Sequence, residues 1–309
     1  MRCGSRPGAY SPLGDVFPGN DDKRHQPDGH PTLARRIYED TQHYMTHECL
    51  LPESILPHLQ SRRLGRTIHH FQETGSTNDV ARQLAEQDLP EGTLVLAEEQ
   101  THGRGRLGRS WVSEGNAGIY ASILLRPALK PRDATVLTLL GAVATSEAIE
   151  QTCGLSVDIK WPNDLLLNRR KCCGILSEMQ TEGDRIRYVI VGIGINVNQT
   201  EFPNDLGHRA TSLRIEGNET YSRVALLCSL LERFELLYDD LQQGGRSALL
   251  LRWVDRSSFA YGKQITVDLG SGEKLEGLTT GLSEQGNLKV RLTDGRVEEV
   301  MTGDIVVWR

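Results

Sequence analysis

The sequence predicts an α+β fold: a mixed or antiparallel central sheet with helices, followed by a small β-barrel. Three observations carry this. Apolar residues recur at helical spacing in two long segments, one opening at Asp133 and one at Ser222. Between them, short strand-like runs are joined mostly by tight turns, which favours hairpins over a doubly wound parallel sheet. From about Phe259 the character changes. Runs at 264–267, 274–282, 288–292, 298–301 and 305–308 are separated by Gly270-Ser271-Gly272, Gln285-Gly286-Asn287 and Asp294-Gly295. Five short strands in so few residues suit a small barrel.

The elements follow in order. Residues 1 to about 47 are rich in Pro, Gly, Asp, His and Arg and show no apolar period, so a polar, disordered extension is expected over 1–49. Pro52-Glu53 can open a helix ending near Arg63. Residues 67–72 read as a strand. Ser76 or Thr77 can cap a helix through Val80, Ala81 and Leu84. Strands are expected at 93–98, 119–125 and 157–161. Asp133 is the expected cap of the helix carrying Val136, Leu139, Leu140 and Val143. Residues 165–167 and 172–178 fit a hairpin around Asn168-Arg169-Arg170, and 187–195 completes the sheet. Ser222 caps a helix with Leu227, Leu230, Leu231, Phe234, Leu237 and Leu241 on one face, stopped by Gly244-Gly245. The domains then read as 50–257 and 258–309.

Composition narrows the class. Hydrophobic residues make up 38% and charged residues 25% of the 309, ordinary for a globular chain. The net charge of −6 argues against general nucleic-acid binding. No run of about 18 apolar residues suggests a membrane span, and no apolar signal segment opens the chain, so a cytoplasmic protein is expected. Cys3, Cys49, Cys153, Cys172, Cys173 and Cys228 lack C-x-x-C spacing and are expected as reduced thiols, with neither zinc nor a redox motif.

Three segments carry chemistry. In Gly103-Arg104-Gly105-Arg106-Leu107-Gly108-Arg109-Ser110-Trp111, glycines allow close backbone approach and arginines supply planar forks for carboxylate and phosphate. The same residues would also suit a solvated basic loop or an RNA-binding arginine–glycine tract. Three arginines and the lack of a following helix set the segment apart from a dinucleotide fingerprint. Lys160-Trp161-Pro162-Asn163-Asp164 presents a lysine and a carboxylate at a strand end: Lys160 could meet a phosphate and Asp164 could hold Mg²⁺, or the two could form an exposed ion pair. Lys171 would lie near the same end of the sheet. In Gly192-Ile193-Gly194-Ile195-Asn196-Val197-Asn198, small residues leave room for something packed against the strand, although a buried strand ending in Asx turns fits as well.

The order of these segments is more specific than any one of them. Ser76-Thr77-Asn78, Gln100, the Arg-Gly loop, Lys160 to Asp164, Lys171-Cys172-Cys173-Gly174-Ile175-Leu176 and the Gly-Ile-Gly-Ile-Asn-Val-Asn strand together closely resemble the biotin protein ligase family, across about residues 62–309. The resemblance implies a catalytic domain related to class II aminoacyl-tRNA synthetases with an SH3-like barrel after it. It implies that biotin and ATP form biotinyl-5′-AMP, and that a lysine of a biotin carrier domain, as in acetyl-CoA carboxylase, takes the biotin.

By the same resemblance Ser76, Thr77 and Asn78 line the biotin pocket, while Gln100, Arg104, Gly105 and Arg106 contact biotin and the adenylate. Lys171 contacts the biotin carboxylate or its activated form. Asn163, Asp164 and Asn196 belong to the nucleotide and Mg²⁺ side. Arg106, Lys160 and Lys171 are the expected catalytic cations. No tightly bound redox cofactor is implied, and a homodimer through the central sheet is compatible with the family. Regulatory members carry an N-terminal winged helix. The segment before Leu50 is too short and polar for one, so no specific DNA binding is expected. A lipoyl protein ligase would share the fold and the acyl-adenylate logic.

Overall fold

The computed structural model describes residues 49–204, 206–270 and 272–308. The reading of 1–49 as a polar extension lies, but for Cys49, outside them. The elements are α1 (Pro52–Ile55), β1 (Ile68–Thr74), α2 (Thr77–Glu86), β2 (Leu94–Gln100), β3 (Gly118–Leu125), α3 (Thr135–Cys153), β4 (Asp158–Lys160), β5 (Asp164–Leu167), β6 (Arg170–Glu182) and β7 (Arg185–Asn196). Next come α4 (Leu213–Gly217), α5 (Arg223–Gln242), α6 (Arg246–Asp255), β8 (Tyr261–Asp268), β9 (Lys274–Leu282), β10 (Leu288–Arg291), β11 (Val297–Val300) and β12 (Asp304–Trp308).

The central sheet has the order β1-β2-β3-β7-β6-β5-β4. Only β1 and β2, joined through α2, run parallel, so the sheet is mixed as expected. Its strands are apolar on both faces because helices cover both. Leu94, Leu96, Ile123, Leu125, Val189 and Val191 join the main core with α3 and α5. Their neighbours Val95, Leu124, Tyr188 and Ile190 pack under Ala81 and Ala85 of α2. Each fully buried Leu, Ile or Val contributes roughly 1.5–3 kcal/mol of transfer free energy. The same double cover buries both Cys172 and Cys173, which, like Cys153, are free thiols. Among the described residues no helix is long and apolar enough to cross a membrane.

Three local expectations are corrected. Asp133 does not cap α3. It sits in a short 3-10 turn, where its carboxylate accepts from Arg246 Nη1 at 2.9 Å. The helix opened by Pro52 stops at Ile55, since Pro57 has no N–H to donate back to Glu53. After Gly244-Gly245 the chain enters a further helix, α6, unmarked in the sequence because only Leu249 and Trp253 of its ten residues are buried. By contrast, Ser222 caps α5, its hydroxyl accepting from Ala225 N at 3.1 Å.

The five C-terminal strands form one antiparallel sheet of order β11-β10-β9-β8-β12, as expected of an SH3-like domain. Phe259, Ile265, Val267, Val290 and Ile305 join the main core. Trp161 Nε1 donates to Gly286 O at 3.2 Å, pinning this sheet to the end of β4.

Candidate functional site

A cavity of about 710 Å³ opens over the middle of the central sheet. It brings together every residue singled out from the sequence: Ser76, Thr77, Asn78, Gln100, Arg104, Gly105, Arg106, Lys160, Asn163, Asp164, Lys171 and Asn196. Its two ends differ in chemistry.

One end is neutral and polar. Ser76 is the N-cap position of α2, which places Thr77 and Asn78 in the first turn over the sheet. Thr77 N and Oγ1 donate to Gln100 Oε1 at 2.9 and 3.1 Å, and Gln100 Nε2 donates to Ser113 Oγ at 3.0 Å. Ser122 Oγ lies 2.8 Å from Thr77 Oγ1 and 2.6 Å from Asn78 Oδ1. Asn78 Nδ2 donates to Glu178 Oε2 at 2.7 Å. Thr77, Asn78, Ser113 and Ser122 are buried and Gln100 and Glu178 half-buried, so the network fixes which donors and acceptors face a ligand. Ser122 and Ser113 were missed in the sequence. Their one signal was a hydroxyl within the apolar run of β3 and another just past the Arg-Gly loop.

The other end is ionic. Register pairs Lys160 on β4 with Asp164 on β5, and a bulge between Leu165 and Leu166 sets Lys171, rather than Cys172, opposite Leu166. Lys160 Nζ lies 3.0 Å from Asp164 Oδ2, and Lys171 Nζ 2.5 Å from Oδ1. Burial alone would push the Asp164 carboxyl up, but Lys171 and Lys160 outweigh it and hold it at about 2. The hairpin turn carrying these strands uses Asn168 and Arg169, both at positive φ, as a two-residue primed turn requires.

Trp111 forms the wall between the ends. Its indole lies against Gly174 and Gly194, which face each other across β6 and β7. A Cβ at Gly194 would come within 2.6 Å of the indole Cε2. What packs on this strand is therefore the protein's own Trp111, together with Asn78 at Gly192. Lys171 Nζ sits 5.4 Å from the Trp111 ring centre and Lys160 Nζ 5.1 Å from that of Trp308. Trp308 brings the C-terminal sheet into the cavity wall, a contribution that short alternating strands did not reveal.

The Arg-Gly loop is folded, with Gly105 N donating to Arg109 O at 2.7 Å and Trp111 N to Gly103 O at 2.9 Å. Arg104 reaches Asp79 and Glu178 at 2.9 and 3.0 Å. Arg106 donates to Asn163 Oδ1, Gly303 O and Asp304 Oδ1 at 3.3, 3.2 and 3.1 Å. Burial lowers the Arg106 guanidinium from its ordinary value; Asp164 opposes this and Arg109 adds to it. Asn196 Nδ2 donates to Thr211 O at 3.0 Å, holding the segment after β7 beside the cavity.

Residues 70–196 match the biotin/lipoate A/B protein ligase family, and 261–308 match the biotin protein ligase C-terminal domain. The bifunctional ligase/repressor BirA of Bacillus subtilis is 38% identical over 249 residues, covering 80% of this chain and 76% of that protein. The biotin–[acetyl-CoA-carboxylase] ligase of Mycobacterium tuberculosis is 30% identical over 247 residues, covering 78% and 89%. The biotin protein ligase of Aquifex aeolicus, solved in complex with biotin and ATP, matches with a TM-score of 0.67 at 30% identity, over 79% of this chain and 99% of that one. The chain belongs to the biotin protein ligase family.

Proposed function

We propose that this protein activates biotin with ATP and transfers it to a lysine of a biotin carrier domain of acetyl-CoA carboxylase or a related carboxylase. The observation that carries the reading is the joining of two unlike ends in one cavity. A buried network of hydroxyls and amides suits a neutral ureido edge, and a cluster of cations lies within the same pocket for a carboxylate and a phosphate.

In the first step a biotin carboxylate oxygen attacks the α-phosphorus of ATP. The bond from that phosphorus to the bridging oxygen breaks, and pyrophosphate leaves with the electron pair. Two anions must meet, so the step needs positive charge fixed in advance. Lys160 and Lys171 are held in place by Asp164, and Arg106 by Asn163 and Asp304. In the second step the carrier lysine nitrogen attacks the acyl carbon, AMP leaves, and the nitrogen's proton passes to solvent. No side chain of the protein becomes covalently bound.

The residues do not fit a protein-built magnesium site. Both Asp164 oxygens face ammonium groups, and among the described residues no group of three or more His, Cys, Asp or Glu could hold a metal. The assignment of Asp164 to Mg²⁺ gives way to one in which it orients two lysines. The proposed setting is the cytoplasm, without a specific DNA site, and the family allows a homodimer.

The test offers purified protein, ATP and either biotin or lipoate to a biotin carrier domain. The expected result is a carrier mass increased by one biotinyl group and unchanged by lipoate. Labelling by lipoate alone would overturn the reading.

A further inference from the structure

Glu178 stands on β6 behind the neutral end of the cavity, and three side chains share its carboxylate. Oε2 accepts from Asn78 Nδ2 at 2.7 Å and from Arg104 Nη2 at 3.0 Å, and Oε1 accepts from Arg82 Nη2 at 3.1 Å. Asn78 and Arg104 line the cavity, while Glu178 and Arg82 lie outside its lining. Ser177, one residue earlier, meets Thr138 of α3 at 2.9 Å on the other face of the sheet, so strand alternation turns Glu178 toward α2.

A carboxylate accepts hydrogen bonds and cannot donate them. This fixes the Asn78 amide one way round. Nδ2 points to Glu178, and Oδ1 is left to accept from Ser122 Oγ at 2.6 Å. Were the amide turned over, its oxygen would face an anion. The same oxygen of Glu178 receives Arg104, which reaches across from the Arg-Gly loop and pairs also with Asp79 of α2 at 2.9 Å. One carboxylate oxygen therefore joins a side chain of the neutral end to the loop that closes the cavity.

We infer that Glu178 is a positioning residue for biotin: it sets the polarity of Asn78 and, through Arg104, holds the Arg-Gly loop over the same end. This rests on the adenylation reading above. A neutral amide in place of Glu178 can present its NH₂ group to Asn78, and it lacks the charge that attracts Arg104. Biotin capture and retention of the adenylate then weaken together, while the ionic end, built on Asp164, keeps its contacts.

The experiment compares the full-length wild type with Glu178→Gln, Arg104→Met, their double variant and Arg82→Met. Biotin-dependent exchange of labelled pyrophosphate into ATP gives kcat and the KM for biotin and for ATP. Rapid filtration gives the rate at which biotinyl-5′-AMP leaves the enzyme. Glu178→Gln should raise the KM for biotin and the release rate about ten-fold each, with kcat and the KM for ATP changed by less than about two-fold. This split separates positioning from a merely structural role, because loss of folded protein lowers the active fraction without changing a KM. The effects of Glu178→Gln and Arg104→Met on release should combine to less than their product, since both act through one contact. Arg82→Met removes a partner of Glu178 that touches neither Asn78 nor Arg104, and it should leave these constants unchanged. An unaltered KM for biotin in Glu178→Gln would overturn the assignment, as would full multiplication of the two effects on release. Equal changes in Arg82→Met would also overturn it, making the charges a clamp on α2. A wild type with no biotin-dependent exchange would instead remove the adenylation reading and this inference with it.

Discussion

Arg106 of the Arg-Gly loop is bound to Asp304, the first residue of β12, with Nη1 3.1 Å from Oδ1, and Arg109 pairs with the other oxygen of the same carboxylate. One buried carboxylate of the C-terminal sheet thus fastens the loop that closes the cavity. Asp304→Asn keeps the shape but removes the charge from both contacts. If the tie keeps the loop closed over the intermediate, the variant should release biotinyl-5′-AMP about ten-fold faster, corresponding to ~1.4 kcal/mol, while still forming it. Rapid filtration of enzyme-bound adenylate measures this. An unchanged release rate would show that the tie is only structural.

Glu98 and Arg223 form a fully buried pair, Oε2 to Nη1 at 2.6 Å, and Glu98 Oε1 also accepts from Leu50 N at 2.7 Å. Removing one partner leaves a charge in the core. Arg223→Met should cost roughly 3–5 kcal/mol in urea unfolding. A loss below about 1 kcal/mol would mean that water or a neighbour such as His70, 3.4 Å from Glu98, takes over the charge.

Gly194→Ala would force the Trp111 indole off the sheet, because the ring is rigid and the strand is held by neighbours on both sides. The expected cost is about 1–3 kcal/mol of stability with a raised KM for ATP, since the displaced ring intrudes on the cavity. Unchanged kinetics would show that the wall between the two ends tolerates movement.

Much of this was legible in the sequence, for reasons that vary with the residue. Strand periodicity and Gly-containing turns placed the five C-terminal strands within a few residues. Ser222 marked α5 because a hydroxyl before an apolar period satisfies a free N–H. The candidate site was legible through the order of its glycine, arginine and lysine segments, since each of them alone suits other uses. The partners of those segments were not. Asp304 lies 198 positions from Arg106, and nothing in either segment names the other. Asp164 read equally as a metal ligand or an ion-pair partner, and its pairing with Lys171 depends on the bulge in β5–β6, which turns Lys171 to its side and has no mark in the sequence.

The Asp164 carboxylate, held at about 2 by its two lysines, makes stability depend on pH in a defined direction. A carboxylate lowered in the folded state stabilises fully above its unfolded value near 3.9, and that stabilisation is lost as pH falls toward 2. Asp164→Asn should therefore be less stable than the wild type by a constant margin from pH 7 to about pH 4, with the margin shrinking below that. Chemical unfolding across this range measures the margin. A gap that closes already at pH 6 would show that the lysines do not control this group.

The cations gathered at Asp164 are proposed to carry adenylate formation, and biotin-dependent pyrophosphate exchange in Lys171→Ala measures their part in it. Losing a charge-assisted contact worth roughly 1.5–3 kcal/mol predicts a rate lowered about ten- to hundred-fold, while the wild type exchanges only when biotin is present. Exchange in Lys171→Ala close to the wild-type rate would contradict the account.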